Sequence, residues 1–425
     1  MIENSFEQLN LIDPLMRAIR DEGYQRPTAI QARAIPSVLQ GRDQLSCAQT
    51  GTGKTAAFAL PILQRLAANK KPVGGDGLPR ALVLAPTREL AAQIGQSFIN
   101  YGRHTGVRVG VVFGGVVKGS QTRALHQGID ILVATPGRLL DLIQMGHARL
   151  RQIEVFVLDE ADRMLDMGFV PDVRRILKVI PKNRQTLFFS ATMPPDVASL
   201  AATMLVDPVR LEIAPTQPAA DKIDQRMHFV ARANKQHLLA HLLSQDASMA
   251  RALVFSRTKH GADRIVKQLK RVGIPGEVIH GNKSQGAREK ALASFKSGRA
   301  RLLVATDIAA RGIDVDGITH VVNFDLPNVP ETYVHRIGRT ARAGSSGVAL
   351  SFCDQDERVH LKAIERLIGR AIHQVADHPF VPIMQHAAVA GSVNRGRKAQ
   401  AKAPTSGGRR RYGGARGHAS AVVRA

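Results

Sequence analysis

Short apolar runs alternate with helix-patterned stretches twice along this chain, and that alternation narrows the fold more than any other feature. In the first half the runs are ALVLAP (81–86), VRVGVVF (107–113), DILVAT (130–135), VFVLDE (155–160) and TLFFSAT (186–192). In the second half they are RALVFS (251–256), GEVIHG (276–281), RLLVAT (301–306), THVVNFD (319–325) and GVALSFC (347–353), with helical patterns at 259–272 and 285–297 between them. Strands that are apolar at nearly every position have both faces covered, which places helices on either side of a parallel sheet. The expected fold class is therefore α/β, as two tandem parallel-sheet domains. A single larger sheet with a long loop is the competing arrangement, and two complete series favour two domains. The boundary falls at DPVRLEIAPTQPAADKI (207–223), which holds Pro208, Pro215 and Pro218 and shows no helical period. Such a segment acts as a semi-rigid linker. The expected division is 1–207, a linker at 208–222, a second domain at 223–380 and a tail at 381–425.

From Ala387 onward the chain is rich in Gly, Ala, Ser, Arg and Lys with almost no large apolar residue, so it cannot bury enough surface to order itself and reads as a disordered basic tail. GGRRRYGGARG (407–417) fits either a solubilising tail or a nonspecific RNA tether, and both readings stand. Charge is the strongest compositional signal: 59 Lys/Arg against 35 acids gives +24. Residues 378–425 carry nine Lys/Arg and no acid, so about +15 resides in residues 1–377 and the body is basic too. A polyanionic partner follows, nucleic acid before an acidic membrane surface.

Other classes fall away. No run of 18 apolar residues offers a membrane-spanning helix. MIENSFEQLN lacks the basic flank and apolar stretch of a secretory signal. Cys47 and Cys353 stand far apart without metal-ligand spacing, which disfavours a disulfide scaffold or structural zinc and fits a reducing cytoplasm. Trp is absent and aromatics are 4%, too few for a base-stacking platform.

Three elements carry chemistry. AQTGTGKT (48–55) has the pattern of a phosphate-binding loop: Ala48, Gln49, Thr50, Gly51, Thr52 and Gly53 lead into Lys54 and Thr55 at the start of a helix. Gly51 and Gly53 let the backbone curl so that its N–H groups point at phosphate, and the helix dipole favours the anion. Lys54 would pair with the β and γ phosphates and Thr55 would bind Mg²⁺. VFVLDEAD (155–162) sets Asp159 and Glu160 at the C-terminal edge of a parallel strand. Asp159 would hold the Mg²⁺ through water, and Glu160 would position and deprotonate the attacking water. A solvated acidic helix start is the plainer alternative, and the loop a hundred residues earlier weighs against it. HRIGRTARAG (335–344) spaces Arg336, Arg339 and Arg342 by three, which on a helix puts them near one face. By itself this is a solvated basic helix; beside the other two elements, Arg339 and Arg342 suit the charge of a γ-phosphate in its transition state.

With these residues in view, the chain resembles the DEAD-box RNA helicases, whose name is the tetrad Asp159-Glu160-Ala161-Asp162. The likeness covers residues 6–344. It implies two RecA-like domains joined by a linker and one ATP between them, and the second half has no phosphate-loop pattern of its own. Phe6 and GYQRPTAIQ (23–31) resemble the family's isolated aromatic and adenine-reading motif. That implies nucleotide contacts from Phe6, Tyr24 and Gln31, with Gln31 on the adenine edge and ATP preferred over GTP. PTREL (86–90), Gly114-Gly115 and TPGR (135–138) resemble first-domain RNA motifs, implying backbone contacts from Pro86, Thr87, Arg88, Gly115, Thr135 and Arg138. SAT (190–192) resembles the motif coupling hydrolysis to strand separation, through Ser190 and Thr192. VFSRT (254–258), Gln285 with Arg288, and ATDIAARGID (305–314) resemble second-domain motifs. By that likeness Arg257, Thr306 and Asp307 lie toward RNA, while Gly312 and Asp314 lie near the nucleotide, Asp314 toward the ribose.

HGNKSQGAREKAL (280–292), the short region after the last motif and the basic tail resemble the bacterial RhlE group, and by that likeness no folded accessory RNA-binding domain is expected after the core. Ala341 departs from the family, in which many members have Gly; on a helix, Ala would be tolerated at least as well. KKPVGGDGLP (70–79) reads as a flexible surface loop without a role. The resemblance implies an RNA-dependent ATPase that opens short duplexes locally or remodels RNA–protein complexes, in ribosome assembly or RNA turnover, with ATP and Mg²⁺ as cofactors, largely sequence-independent RNA as partner and no membrane. The competing functions are a DNA helicase or translocase, an ATP-gated RNA clamp with little turnover, and an RNA chaperone acting through its tail.

Overall fold

A computed structural model of the 425-residue chain describes residues 5–49, 51–69, 78–213, 223–310, 315, 317–341 and 346–381. The first lobe is a sheet of seven strands: β1 (Gln44–Cys47), β2 (Ala81–Leu84), β3 (Val109–Val112), β4 (Ile131–Ala134), β5 (Val155–Leu158), β6 (Gln185–Ser190) and β7 (Val209–Glu212). Every pairing is parallel, in the order β3-β4-β2-β5-β6-β1-β7. The second lobe contributes β8 (Ile223–Phe229), β9 (Ala252–Phe255), β10 (Glu277–Ile279), β11 (Leu302–Ala305), β12 (His320–Asn323), β13 (Gly347–Cys353) and β14 (His373–Gln374). Their order, β10-β11-β9-β12-β13-β8-β14, is also wholly parallel. Counted from the first strand of each lobe, the two windings are identical.

The burial expected from the sequence is present. β2, β4 and β5 are buried at every residue, and consecutive side chains enter opposite cores: Ala81 and Val83 join one cluster, Leu82 and Leu84 the other. In the second lobe Ala252 and Val254 part from Leu253 and Phe255 in the same way. The expected helices appear as Lys259–Arg271 and Gln285–Lys296. The hydroxyls of Thr258 and Ser284 cap them by accepting from the Gly261 and Ala287 N–H groups at 3.0 and 3.3 Å.

The connector departs from expectation. Residues 209–212 form β7, paired with β1 at the sheet edge, with Leu211 facing the core between exposed neighbours. A four-residue edge strand directly after Pro208 needs only one or two inward apolar residues, which is why composition alone reads it as linker. Residue 223, also placed at the connector's end, opens β8, whose alternating pattern carries Asp224 outward and Met227 inward. Residues 214–222, the tail from 382 and residues 70–77 of the surface insert lie outside the described residues. No helix among the described residues is long and apolar enough to cross a membrane.

Sheet order explains how distant motifs meet. β1, β6 and β5 are neighbours, so the phosphate loop after β1, the Ser190 turn after β6 and the acidic pair after β5 share one C-terminal edge. In the second lobe β8, β13 and β12 converge in the same way. There Lys235 opens the helix Lys235–Gln245, as Lys54 opens the helix Lys54–Ala68. Its ammonium is fully buried against Glu357 Oε2 at 2.5 Å, Asp354 Oδ2 at 3.3 Å and Asp325 Oδ1 at 3.8 Å.

Candidate active site

Gly51 and Gly53 adopt φ of +82° and +90°, a region open to glycine at little cost. At Gly53 side-chain space is also closed, because a Cβ would stand 2.5 Å from Gln31 Nε2. Gln31 donates that Nε2 proton to the Gly53 carbonyl at 3.2 Å and accepts from the Thr28 N–H at 2.9 Å. Its amide therefore braces the phosphate loop in this structure. Lys54 is buried and donates to the Ala48 carbonyl at 2.8 Å; the Thr52 hydroxyl donates to the Gln49 carbonyl at 2.8 Å.

At the end of β5, Asp159 and Glu160 are both buried, and Glu160 takes the left-handed conformation at φ +52°. Asp159 Oδ1 accepts from the Glu160 N–H at 3.0 Å, and Glu160 Oε2 accepts from Arg163 Nη1 at 2.9 Å. Burial pushes the Asp159 carboxyl up to about 6; Lys54 pulls it down and Glu160 pushes it further up. Asp162 Oδ2 accepts both the Thr192 N–H and its hydroxyl at 3.0 Å. Ser190 Oγ accepts from the Asp162 N–H at 3.2 Å and donates to the Thr192 carbonyl at 2.7 Å. Ser190 and Thr192 are thus tied to the acidic tetrad by direct bonds.

The phosphate loop, Gln31 and the Asp159–Glu160 pair border a cavity of about 270 Å³. Gly51, Gly53, Lys54, Thr55, Asp159 and Glu160 line it together with Gln31, Tyr24, Ser97 and Tyr101. Arg339 of the second lobe lines the same cavity. Phe6 does not reach it: at 2% exposure it packs in the core with Leu9, Leu15 and Phe58. Thr50, Gly312, Asp314 and Arg342 lie outside the described residues.

The expectation of three arginines on one helical face is corrected. The helix Pro330–Ile337 stops at Gly338, so Arg336 and Arg339 diverge. Arg336 is buried within the second lobe, with Nε and Nη2 on the Asp307 carboxylate at 2.5 and 2.7 Å and Nη1 on the Asn323 and Asp325 oxygens. Ala341 is not helical either: its φ is +55°, a conformation that costs an L-residue about 1–2 kcal/mol. The position thus favours glycine, contrary to the helical expectation. Its methyl group packs on the apolar cluster around Tyr333 and Ile337.

A second cleft, of about 340 Å³, gathers Pro86, Thr87, Arg88, Gly114, Thr135 and Arg138 from the first lobe with Gly281, Arg288 and Ile308 from the second. Arg88 lies against the Gly114-Gly115 turn so closely that a Cβ on Gly115 would meet Arg88 Nη1 at 1.9 Å. Thr87 caps the helix Arg88–Gly102 by accepting from the Leu90 N–H at 3.2 Å. Arg138 braces the same turn, donating to Gln121 Oε1 at 3.1 Å and the Val116 carbonyl at 3.2 Å. Three second-lobe residues expected at RNA are not among the residues lining this cleft. The Arg257 guanidinium donates to Glu357 Oε1 at 2.7 Å and the Leu326 carbonyl at 3.1 Å; Asp307 holds Arg336; Thr306 donates its N–H to the Ile279 carbonyl at 3.4 Å. The lobes meet beside the cleft. Arg288 Nη2 stands 2.9 Å from Glu89 Oε1, close enough for an ion pair though without hydrogen-bond alignment. Sequence reasoning passed over Arg163 and Tyr101. Three-residue spacing from Glu160 signals the first, and nothing local signals the second.

Known families match this arrangement. The model described as "DEAD/DEAH box helicase" matches residues 28–200, and that described as "Helicase conserved C-terminal domain" matches 234–344. The chain belongs to the DEAD-box family of ATP-dependent RNA helicases. It is 46% identical over 371 residues to the ATP-dependent RNA helicase RhlB of Pseudomonas syringae pv. tomato, covering 86% of this chain and 93% of that protein. It is 43% identical to the DEAD-box ATP-dependent RNA helicase CshA of Bacillus cereus, over 87% of this chain and 69% of that one. Against DEAD-box ATP-dependent RNA helicase 30 of Arabidopsis thaliana it is 44% identical over 86% of its own length, and spans 62% of the plant protein. Among solved structures, S. cerevisiae Dbp5 bound to RNA and ADP BeF3 matches with TM-score 0.77 and 33% identity, over 88% of this chain and 95% of that one. Mss116p bound to ssRNA and AMP-PNP matches with TM-score 0.76 and 29% identity, over 87% and 78%. The two parallel-sheet lobes of this DEAD-box helicase are the RecA-like pair.

Proposed function

We propose that this DEAD-box helicase binds ATP with Mg²⁺ around Lys54 and grips RNA along the cleft at Arg88. The two lobes then close on both ligands, hydrolyse ATP, and open short RNA duplexes or remodel RNA–protein complexes. The observation that carries the reading is Arg339, a second-lobe side chain lining the cavity that holds Lys54, Asp159 and Glu160 of the first. Hydrolysis that needs groups from both lobes proceeds only when they are together. Each ligand that favours closure then strengthens binding of the other.

The Thr55 hydroxyl and Asp159 carboxylate suit a hard cation, since both are oxygen donors and Asp159 is a buried carboxylate beside a second acid. Bound there, Mg²⁺ would supply positive charge that offsets the charge of the phosphates. Lys54 exchanges the Ala48 carbonyl for phosphate. Glu160 takes a proton from the attacking water, its carboxylate oriented by Arg163. Arg339, with Arg342, stabilises charge on the γ-phosphate. Asp162, bonded to Ser190 and Thr192, carries changes at the acidic tetrad into the turn after β6. Arg88 and the first-lobe motif residues contact sugar and phosphate, so recognition is largely independent of sequence and weakens with salt.

Within the family we place the chain in the RhlE-like group, on residues 280–292 and the basic tail, with a cytoplasmic role in ribosome assembly or RNA turnover. The first lobe extends through β7 and the second begins at β8. Steady-state ATPase with single-stranded RNA, with DNA as control, at two salt concentrations tests the reading. Glu160→Gln should bind ATP and RNA and stall turnover. Turnover that survives this change removes Glu160 as the base, and equal stimulation by DNA points to a DNA helicase.

A further inference from the structure

The cavity lining carries an aromatic pair that the family motifs only half explain. Tyr24 and Tyr101 are the aromatic residues among its lining, and neither belongs to the loop that takes phosphate. A nucleotide anchored at Lys54 has a flat base to place, and aromatic faces are the surfaces in this cavity suited to it. Tyr24 is 39% exposed and sits on a turn rather than a helix or strand, so its ring has few neighbours to hold it. Tyr101 is buried, on the rigid helix Arg88–Gly102, and its ring packs with the core around Phe58 and Phe98. The two hydroxyls are 3.0 Å apart and the ring centroids 6.1 Å, at 56° between planes. Other contacts fix the same junction: Asn100 Nδ2 donates to Glu22 Oε2 at 3.4 Å, Arg103 pairs with Glu22, and His104 Nε2 lies 2.9 Å from Asp21 Oδ2. The turn carrying Tyr24 is thus fastened to this helix, and the hydroxyl pair is the fastening that acts on the ring itself.

We propose that Tyr101 is a positioning residue for the nucleobase: its hydroxyl holds the Tyr24 ring in the orientation that receives adenine, and thereby sets ATP affinity. This rests on the reading of the cavity as the ATP site. Tyr101 has no part in the reacting phosphates, so its loss separates binding from turnover. One hydroxyl–hydroxyl bond is removed while both rings remain. The expected cost is about two- to tenfold in affinity.

The test is steady-state ATPase at saturating RNA with Tyr101→Phe, Tyr24→Phe and the double variant, with mant-ADP titration alongside. Tyr101→Phe should raise KM for ATP about two- to tenfold, leave kcat unchanged and narrow the preference for ATP over GTP. Tyr24→Phe removes the same bond from its exposed side, so it should match, and the double variant should be no worse than either single. A wild-type KM in Tyr101→Phe overturns the proposal, as does an unchanged KM in Tyr24→Phe or additive losses in the double variant. A fall in kcat matching the rise in KM overturns it too, since that marks general damage. Lys54→Ala separates the two levels. If it still binds mant-ADP normally, the assignment of the cavity fails; if it loses binding while Tyr101→Phe behaves as wild type, only the role of Tyr101 fails.

Discussion

Arg288→Ala should weaken lobe closure without touching the nucleotide cavity. Arg288 and Glu89 belong to different lobes and are 9% and 5% exposed where they meet. Removing the guanidinium leaves Glu89 a buried carboxylate without its counter-charge, a loss of about 3–5 kcal/mol in a rigid core. Here the lobes can part and rehydrate Glu89, so the penalty falls on the closed state and is capped by the cost of opening. The contact also lacks hydrogen-bond alignment. A value near 2 kcal/mol is therefore reasonable, about a 30-fold loss of RNA affinity in the closed state. Fluorescence anisotropy of labelled RNA with a non-hydrolysable ATP analogue measures it, with ADP as the reference in which the loss should shrink. Arg288→Ala with Glu89→Gln removes the stranded charge and should regain most of the affinity. Arg288 also lines the cleft beside Arg88. If the double variant binds RNA as weakly as Arg288→Ala alone, Arg288 acts as a phosphate contact and the closure argument is refuted.

Arg339→Ala should cost about 10³–10⁵ in turnover with a far smaller loss of ATP binding; equal losses of both in single-turnover and binding assays would remove it as an arginine finger. Asp159→Asn should stabilise the ligand-free protein by up to about 3 kcal/mol above pH 6 while abolishing Mg²⁺-dependent ATP binding. The sign follows from a carboxyl whose folded pKa, about 6, lies above its unfolded value. Its contribution to stability is present below pH 4 and lost as pH rises through 6. Melting curves of both proteins from pH 4 to 8 should therefore diverge as pH rises, and parallel curves would contradict the burial argument. His228, buried without a hydrogen-bond partner among the described residues and pushed down to about 4 by burial with His378 and Arg226 nearby, has the opposite dependence. Stability should fall as pH drops from 6.5 to 4, and His228→Leu should flatten that acid limb in the same melting series.

The motifs legible in the sequence are those whose chemistry is contiguous. The phosphate loop and the acidic tetrad each lie within eight residues, and a strand before and a helix after fix their geometry locally. What failed to read needed tertiary partners. Spacing made Arg336 and Arg339 equivalent, whereas Asp307, Asn323 and Asp325 draw Arg336 inward and the helix end at Gly338 turns Arg339 toward the cavity. Arg257 carries the charge that suits an RNA phosphate and Asp307 does not, and in this structure each has an internal partner from a distant segment, Glu357 and Arg336. Helix propensity favours Ala341, but its backbone is left-handed, a distinction the letters cannot carry. β7 escaped because an edge strand of four residues has too short a pattern to oppose its flanking prolines.

The second lobe is wound like the first, and Lys235 occupies the place of Lys54, but three carboxylates crowd its ammonium where the first lobe leaves a cavity. Glu357 stands in for the anion as a permanent tenant, and it also fastens Arg257 and the Leu326 N–H. In one half of the molecule the lysine faces a cavity, while in the other the chain's own carboxylates have turned the equivalent position into a rivet. The same frame is built twice, and in the second copy the chain's own acids hold the lysine at the helix start.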